Sequence, residues 1–183
     1  MRKRTALAAM LLGAFAVLAI ATYATADSGK KTVDTGPMSG YLEGAPGGPV
    51  SSGANGSFEG RIEAASLDYT LEYSDLEADV TQAHIHFGQR SVNGGISAWL
   101  CGTAGLPGPA GTPRCPGARS GTISNTIIAA DVIGPGGQGI AAGEFDELVA
   151  AIRAGRAYAN VHSSMFGGGE IRGQINDSNQ RDD

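Results

Sequence analysis

Three histidines are the residues whose type and spacing point to chemistry: His84, His86 and His162. His84 and His86 stand two positions apart in residues 79–87, where apolar and polar side chains alternate as in a strand. Alternate residues of a strand share a face, so both imidazoles leave the same face with Cα atoms about 6.6–7 Å apart. Two imidazoles placed in this way can reach a single metal ion.

His162 supplies a third imidazole if its strand lies beside the first. The alternation of residues 157–163 puts it on the polar face of a second predicted strand. If the two strands are neighbours, three neutral imidazoles form a set suited to zinc or copper, with a position open for redox or hydrolytic chemistry. In the alternative interpretation each ring makes a structural hydrogen bond to a backbone carbonyl. Both interpretations stay open because the sequence does not establish that these strands pair.

Three polar residues accompany His162 in the same part of the chain. Asn160 shares its predicted face, and Glu170 and Arg172 share a face of the following segment, residues 169–175. If glycines 167–169 form a hairpin, these side chains surround His162 as outer partners of a metal or as a ligand clamp. The favoured alternative is an ion pair between Glu170 and Arg172 that fixes the strand register on a solvent-exposed face.

Eight alternating segments and one helix must position these residues. The predicted strands, separated by turns rich in Gly, Pro, Asn and Ser, cover residues 38–43, 57–65, 67–74, 79–87, 95–101, 119–128, 157–163 and 169–175. Residues 144–154 carry a helical apolar stripe, with acids in the first turn, Arg153 in the last and Gly155 placed to end the helix in a left-handed conformation. We expect an all-β, mainly antiparallel fold: an immunoglobulin-like sandwich or a barrel with one crossover helix.

The N-terminal segment indicates export. Residues 2–4 are basic, residues 6–21 are apolar, and Ala24 and Ala26 form an A-x-A cleavage pattern. The apolar run is shorter than the ~20 residues of a spanning helix, so we expect a signal peptide over residues 1–26 and no membrane span after cleavage. A flexible leader (27–37), a β domain (38–176) and a polar tail (177–183) follow. The mature protein is expected outside the cytoplasm, secreted, in a periplasm or at a cell surface.

The charge balance argues against nucleic acid as a partner. The chain has a formal net charge of −5, which becomes more negative when the basic signal residues are removed. Nucleic acids and anionic membrane surfaces attract basic proteins and repel acidic ones. We expect neither as a partner.

Cys101 and Cys115 are the two cysteines of the chain. An even count in an exported protein predicts one disulfide, here closing a loop rich in glycine and proline. The alternative is a redox-active or metal-binding thiol pair, which the lack of a C-x-x-C spacing disfavours. Closure of a loop of this length is worth about 3 kcal/mol.

The histidine segments together resemble a known family. An Ala-His-Ile-His strand at 83–86, a helix followed by Ala-Tyr-Ala-Asn-Val-His at 157–162, and a closing Gly-Glu-Ile-Arg-Gly-Gln segment at 169–174 are similar to the CHRD domain. This module is repeated in chordin and occurs singly in many bacterial exported proteins. The resemblance covers roughly residues 38–175 and implies a β domain, immunoglobulin-like or barrel-like. The Gly/Pro insert at 102–118 departs from the family pattern.

The resemblance implies a binding or structural module outside the cell, with a protein or matrix component as partner. The alternative function is copper or zinc binding by His84, His86 and His162. No phosphate loop and no G-x-S-x-G elbow occurs in the sequence. We therefore expect a binding protein rather than an enzyme, and we assign no catalytic residue.

Overall fold

The computed structural model describes residues 31–44 and 47–175. The predicted signal peptide and polar tail lie outside these residues, as do residues 27–30 of the predicted leader. None of the helices in the described ranges is long and apolar enough to cross a membrane.

Eight strands form one antiparallel sheet. They are β1 (Thr32–Ser39), β2 (Asn55–Ile62), β3 (Ser66–Ser74), β4 (Val80–Phe87), β5 (Gly95–Gly102), β6 (Gly121–Ile128), β7 (Ala157–Ser163) and β8 (Ile171–Gln174). The order across the sheet is β5-β4-β7-β8-β1-β2-β3-β6, and every neighbouring pair is antiparallel. Short 3-10 turns cover Gly40–Leu42, Ala129–Asp131 and Gly136–Gln138. The antiparallel all-β class is confirmed.

The sheet curls until it is nearly barrel-shaped. Tyr69 in β3 donates its hydroxyl hydrogen to the Leu100 carbonyl in β5 at 2.5 Å, which joins strands near opposite edges of the sheet. The Cys101–Cys115 disulfide is formed and ties the end of β5 to the segment that leads into β6. Both edge strands are therefore held close together. The narrower immunoglobulin-like arrangement stays a prediction.

The apolar faces of the strands fill the inside of this sheet. Fully buried side chains from six strands share one core cluster: Phe58, Leu71, Ile85, Leu100, Val161 and Ile171. Helix α1 (Phe145–Arg153) adds its predicted apolar stripe to the same cluster. The helix ends as predicted, since Gly155 adopts a φ of 63°, in the left-handed region.

The first strand begins earlier than the sequence predicts. Residues 32–37, assigned to the flexible leader, belong to β1 in the structure. Val33 packs in the core, and its neighbours pair in register with β2. The register then shifts at a bulge between Asp34 and Pro37, where Gly36 has a φ of 57°. Gly and Pro in this bulge gave the segment its leader-like composition.

Candidate metal centre

β4 and β7 bring the three histidines together. The strands are antiparallel neighbours, with Gln82 opposite His162 and His84 opposite Asn160. His162 is therefore diagonal to His84 on the face that points away from the apolar core. One ligand nitrogen from each of His84, His86 and His162 lies within 4.8 Å of the others. The pairing that the sequence left open is thus present in the structure.

This polar face is buried rather than exposed to solvent. His84, His86 and His162 are 0%, 8% and 5% exposed, and every residue of β7 is buried. Loops cover this face, and buried polar side chains on the face bind the backbones of these loops. On a solvent-exposed face the rings could form hydrogen bonds with water, whereas on this buried face their hydrogen-bond partners are protein groups.

Backbone carbonyls fix the tautomers of two rings. His86 Nδ1 lies 3.0 Å from the Gly94 carbonyl oxygen, and His162 Nδ1 lies 3.0 Å from that of Gly167. A carbonyl oxygen accepts and does not donate, so each Nδ1 carries the hydrogen. In a neutral ring the Nε2 atom then holds a free lone pair.

The tautomer of His84 follows from that of His162. His84 Nδ1 lies 3.1 Å from His162 Nε2, and because that Nε2 is the acceptor, His84 Nδ1 is the donor. The Nε2 lone pair of His84 is then also free. The Nε2 atoms of His84 and His86 are buried and have no hydrogen-bond partner among the described residues. Buried polar atoms normally have hydrogen-bond partners, so two unused lone pairs in one buried cluster require a physical explanation.

Burial keeps all three rings neutral. It lowers the pKa of His84 to about 2, with repulsion from His162 and His86 adding to the effect. It lowers the pKa of His86 to about 4, against the Gly94 carbonyl, which raises it. It also lowers the pKa of His162, against the Gly167 carbonyl. Neutral imidazole is the form that binds a metal ion.

Aromatic rings flank the cluster. Trp99 in β5 meets His84 edge to face, with ring centroids 4.3 Å apart. Tyr158 in β7 stacks on His86, with centroids 4.8 Å apart and ring planes within 5° of parallel. The insert loop packs on Trp99, where a Cβ on Gly108 would meet the indole at 2.7 Å. These contacts pack the rings of His84 and His86 against aromatic side chains and restrict their orientations.

Arg172 lies on the other side of Tyr158 and anchors the loop of residues 88–94. Its guanidinium carbon is 3.3 Å from the Tyr158 ring centre. Nη1 donates to the Val92 carbonyl at 3.0 Å and Nη2 to the Gln89 carbonyl at 2.7 Å. The same loop supplies the Gly94 carbonyl that orients His86. Arg172 therefore acts on the cluster through the loop and through Tyr158.

Glu43 and Asn160 form a second buried contact next to this face. Asn160 Nδ2 donates to Glu43 Oε1 at 2.6 Å and to the Ile171 carbonyl at 2.9 Å. Burial raises the pKa of Glu43 to about 7, and the positive charge of Arg172 and the hydrogen bond from Asn160 oppose the rise. Asn160 thus holds a carboxyl group and makes no hydrogen bond to a histidine.

The predicted ion pair between Glu170 and Arg172 is wrong. Glu170 is 0% exposed, and its Oε1 accepts from Ser52 Oγ and from the Glu77 backbone N–H, both at 2.8 Å. Arg172 instead donates to the 88–94 loop. The ion pair was assigned to a solvent-exposed face, whereas loops bury this one and offer each side chain a backbone partner of its own. Glu170 consequently binds Ser52 and the backbone of Glu77 rather than the histidine cluster.

Some contributing residues were not among the predicted site residues. Tyr158 had a usable signal, because the alternation of β7 places it on the same face as Asn160 and His162. Trp99 and Glu43 had none, since their proximity depends on a β5 register with two irregularities and on the path of the chain after β1.

The arrangement can bind one ion with modest movement. Metal–nitrogen bonds of about 2.0–2.1 Å place ligand nitrogens about 3.3–3.6 Å apart around the ion. The nitrogens that now lie within 4.8 Å of one another must move closer, and His84 must either lose its Nδ1 hydrogen or turn its Nε2 toward the ion. Binding also replaces the hydrogen bond between His84 and His162, because a coordinated His162 Nε2 no longer accepts it.

Comparison with known proteins places the chain at the level of a family. Residues 38–175 match the family model of the CHRD domain, a range that includes both histidine strands, the helix and the closing strand. No curated protein and no solved structure matches the chain. The resemblance drawn from the histidine motifs is therefore confirmed over most of the sequence. The chain belongs to the CHRD domain family.

Proposed function

We propose that this CHRD-domain protein binds a copper or zinc ion through His84, His86 and His162. The observation that carries the proposal is the convergence of one ligand nitrogen from each of three buried rings, all within 4.8 Å of one another, with the Nε2 atoms of His84 and His86 unpartnered among the described residues. Leaving a buried acceptor unsatisfied costs about 1–3 kcal/mol, so a buried Nε2 lone pair is expected to have a partner. Coordination to a metal supplies one.

The hydrogen bonds behind the rings support the same function. Metal-binding histidines commonly donate their second ring N–H to a backbone carbonyl, which fixes the tautomer and aims the lone pair at the ion. His86 and His162 have this arrangement through Gly94 and Gly167. The backbone carbonyls thereby leave the Nε2 atoms of His86 and His162 as the metal-binding atoms of these two rings.

Export is part of the proposal. The signal pattern of residues 1–26 directs the chain out of the cytoplasm. The Cys101–Cys115 disulfide is stable in the oxidising environment outside it. The proposed location is secreted, periplasmic or at a cell surface.

A protein or matrix partner remains the second candidate function. Tyr41 is 68% exposed, and the large apolar Val92 is also exposed on the loop that Arg172 holds. Exposed aromatic and apolar side chains on rigid loops are common in interfaces. Such a role predicts binding to a partner without a requirement for metal.

The test is the metal content of the mature protein with its disulfide formed. We expect one copper or zinc ion per chain in the wild type and none in the His84→Ala/His86→Ala double variant. Ile85→Ala is the matched control, because it lies between the two histidines on the opposite, apolar face of β4 and removes packing without removing a ligand. Weak metal binding that is equal in all three proteins would refute the proposal and leave the histidines as structural residues.

A further inference from the structure

We infer that the three-histidine cluster selects Cu(I) over Zn(II), an inference that rests on the proposed metal-binding function. Both ions bind imidazole nitrogen. They differ in charge and in the number of ligands that they need, and the structure bears on both differences.

The charge around the cluster favours a monovalent ion. Among the described residues, the hydrogen-bond partners of the three rings are one another and the carbonyls of Gly94 and Gly167, with no carboxylate. Glu43 is held by Asn160, and Glu170 by Ser52 and the backbone of Glu77. A bound ion thus keeps its full charge in a buried site. The cost of burying charge grows with its square, so a divalent ion pays about four times the cost of a monovalent one.

A fixed positive charge adds to this preference. The Arg172 guanidinium carbon is 3.3 Å from the Tyr158 ring centre, which is 4.8 Å from that of His86. One aromatic ring therefore separates the guanidinium from the imidazole, a distance of at most about 8 Å between Arg172 and His86. An ion bound to His86 lies about 3 Å beyond the ring centre, up to about 11 Å from the guanidinium, so at an effective dielectric constant of about 20 each added unit of charge on the ion weakens binding roughly 10-fold.

The number of ligands points in the same direction. A three-histidine zinc site keeps a fourth position for water, which needs an opening to solvent. Here the rings are 0%, 8% and 5% exposed, and Trp99 and Tyr158 pack directly against them. Cu(I) carries a single positive charge and forms stable complexes with two or three imidazoles and no water. The enclosed cluster therefore satisfies Cu(I) and leaves Zn(II) one ligand short.

The experiment is a competition between the two ions for the mature, disulfide-bonded protein. Cu(I) is supplied anaerobically as its bicinchoninate complex with ascorbate, without thiols, which would bind Cu(I) and reduce the disulfide. Zn(II) is supplied as its complex with 4-(2-pyridylazo)resorcinol. We expect transfer of one Cu(I) per chain, which is retained when an equal concentration of Zn(II) competes for the site.

The possible outcomes separate the two claims. Displacement of Cu(I) by an equal concentration of Zn(II), or stoichiometric uptake of Zn(II) alone, would overturn the selectivity while leaving the proposed metal-binding function in place. Uptake of neither ion would overturn both.

Two charge variants test the electrostatic step, with folding verified by near-ultraviolet circular dichroism. Arg172→Gln removes the positive charge and is expected to raise the affinity for Zn(II) about 10-fold relative to Cu(I). Glu43→Gln removes a partial negative charge beside Arg172 and is expected to shift the ratio the other way, which keeps the test available if the arginine variant does not fold. An unchanged ratio in a folded variant would refute the charge argument.

Met165→Leu is the control for a soft ligand outside the cluster. Met165 is exposed in the turn between β7 and β8, three residues after His162. Thioethers also bind Cu(I). We expect the Cu(I) affinity of this variant to remain unchanged. A loss of binding would assign the ion to the thioether and overturn the three-imidazole site.

Discussion

Acidification of the metal-free protein should destabilise it, and Glu43→Gln should enlarge the effect. Burial holds the pKa of His84 at about 2 and that of His86 at about 4, whereas both are 6.5 in the unfolded chain. The unfolded state therefore takes up protons that the folded state refuses. This contribution to stability is complete above pH 6.5 and is lost as the pH falls toward the folded values.

The magnitude follows from the pKa differences. Each pKa unit corresponds to about 1.36 kcal/mol, so at pH 5 each of the two histidines has lost about 2 kcal/mol of stabilisation, about 4 kcal/mol together. Glu43 has the opposite sign, because its pKa is raised from 4.5 to about 7. Its contribution to stability is present below pH 4.5 and is lost as the pH rises through 7. Lowering the pH from 7 to 5 therefore raises the free energy of unfolding by about 2 kcal/mol through Glu43.

Urea unfolding at pH 7 and pH 5, in the presence of a chelator, measures the difference. Because the lowered pKa of His162 adds to the loss, we expect the free energy of unfolding to fall by at least about 2 kcal/mol in the wild type and at least about 4 kcal/mol in Glu43→Gln, which lacks the compensating carboxyl group. A Glu43→Gln protein whose stability is the same at both pH values would refute the assignment of neutral, buried histidines.

Three further predictions concern the framework of the cluster. Arg172→Lys keeps the charge but loses the fork that binds two loop carbonyls, so we expect a loss of about 2–4 kcal/mol by urea unfolding, whereas the exposed Arg61→Lys should leave the midpoint unchanged. The Cys101→Ala/Cys115→Ala variant should lose about 3 kcal/mol of stability through loop entropy, and an unchanged thermal midpoint would contradict this. Tyr158→Phe removes the acceptor of a 3.1 Å hydrogen bond from a loop backbone N–H, so it should cost about 1–2 kcal/mol and speed amide exchange in that loop, while equal exchange in both proteins would contradict the contact.

The sequence was informative wherever local pattern determines structure. Alternation in residues 79–87 and 157–163 identified β4 and β7 and placed the histidines on the faces that they occupy. The helix was likewise readable from its stripe and from Gly155. Each of these features depends on neighbours within a few positions along the chain.

What the sequence could not supply was the covering of the polar face. Whether β7 is half-buried or fully buried depends on loops more than 60 positions away, such as residues 88–94, which Arg172 and Gln174 hold through backbone carbonyls. For this reason Glu170 and Arg172 were assigned to a solvent-exposed face. The predicted end of the flexible leader was wrong for a different reason, because a bulge at Asp34–Pro37 interrupts the alternation of β1.

The most direct test of the three-histidine site is a long-range ¹H–¹⁵N correlation spectrum of the imidazole nitrogens, recorded without metal and with one equivalent of Cu(I) or Zn(II), both of which are diamagnetic. Without metal we predict neutral rings at pH 7, each with a protonated Nδ1 and a bare Nε2. On addition of the ion, all three rings should shift together, with Nε2 of His86 and His162 as the coordinated atoms. Rings that titrate near pH 6.5, or nitrogens that do not move when the ion is added, would contradict the account.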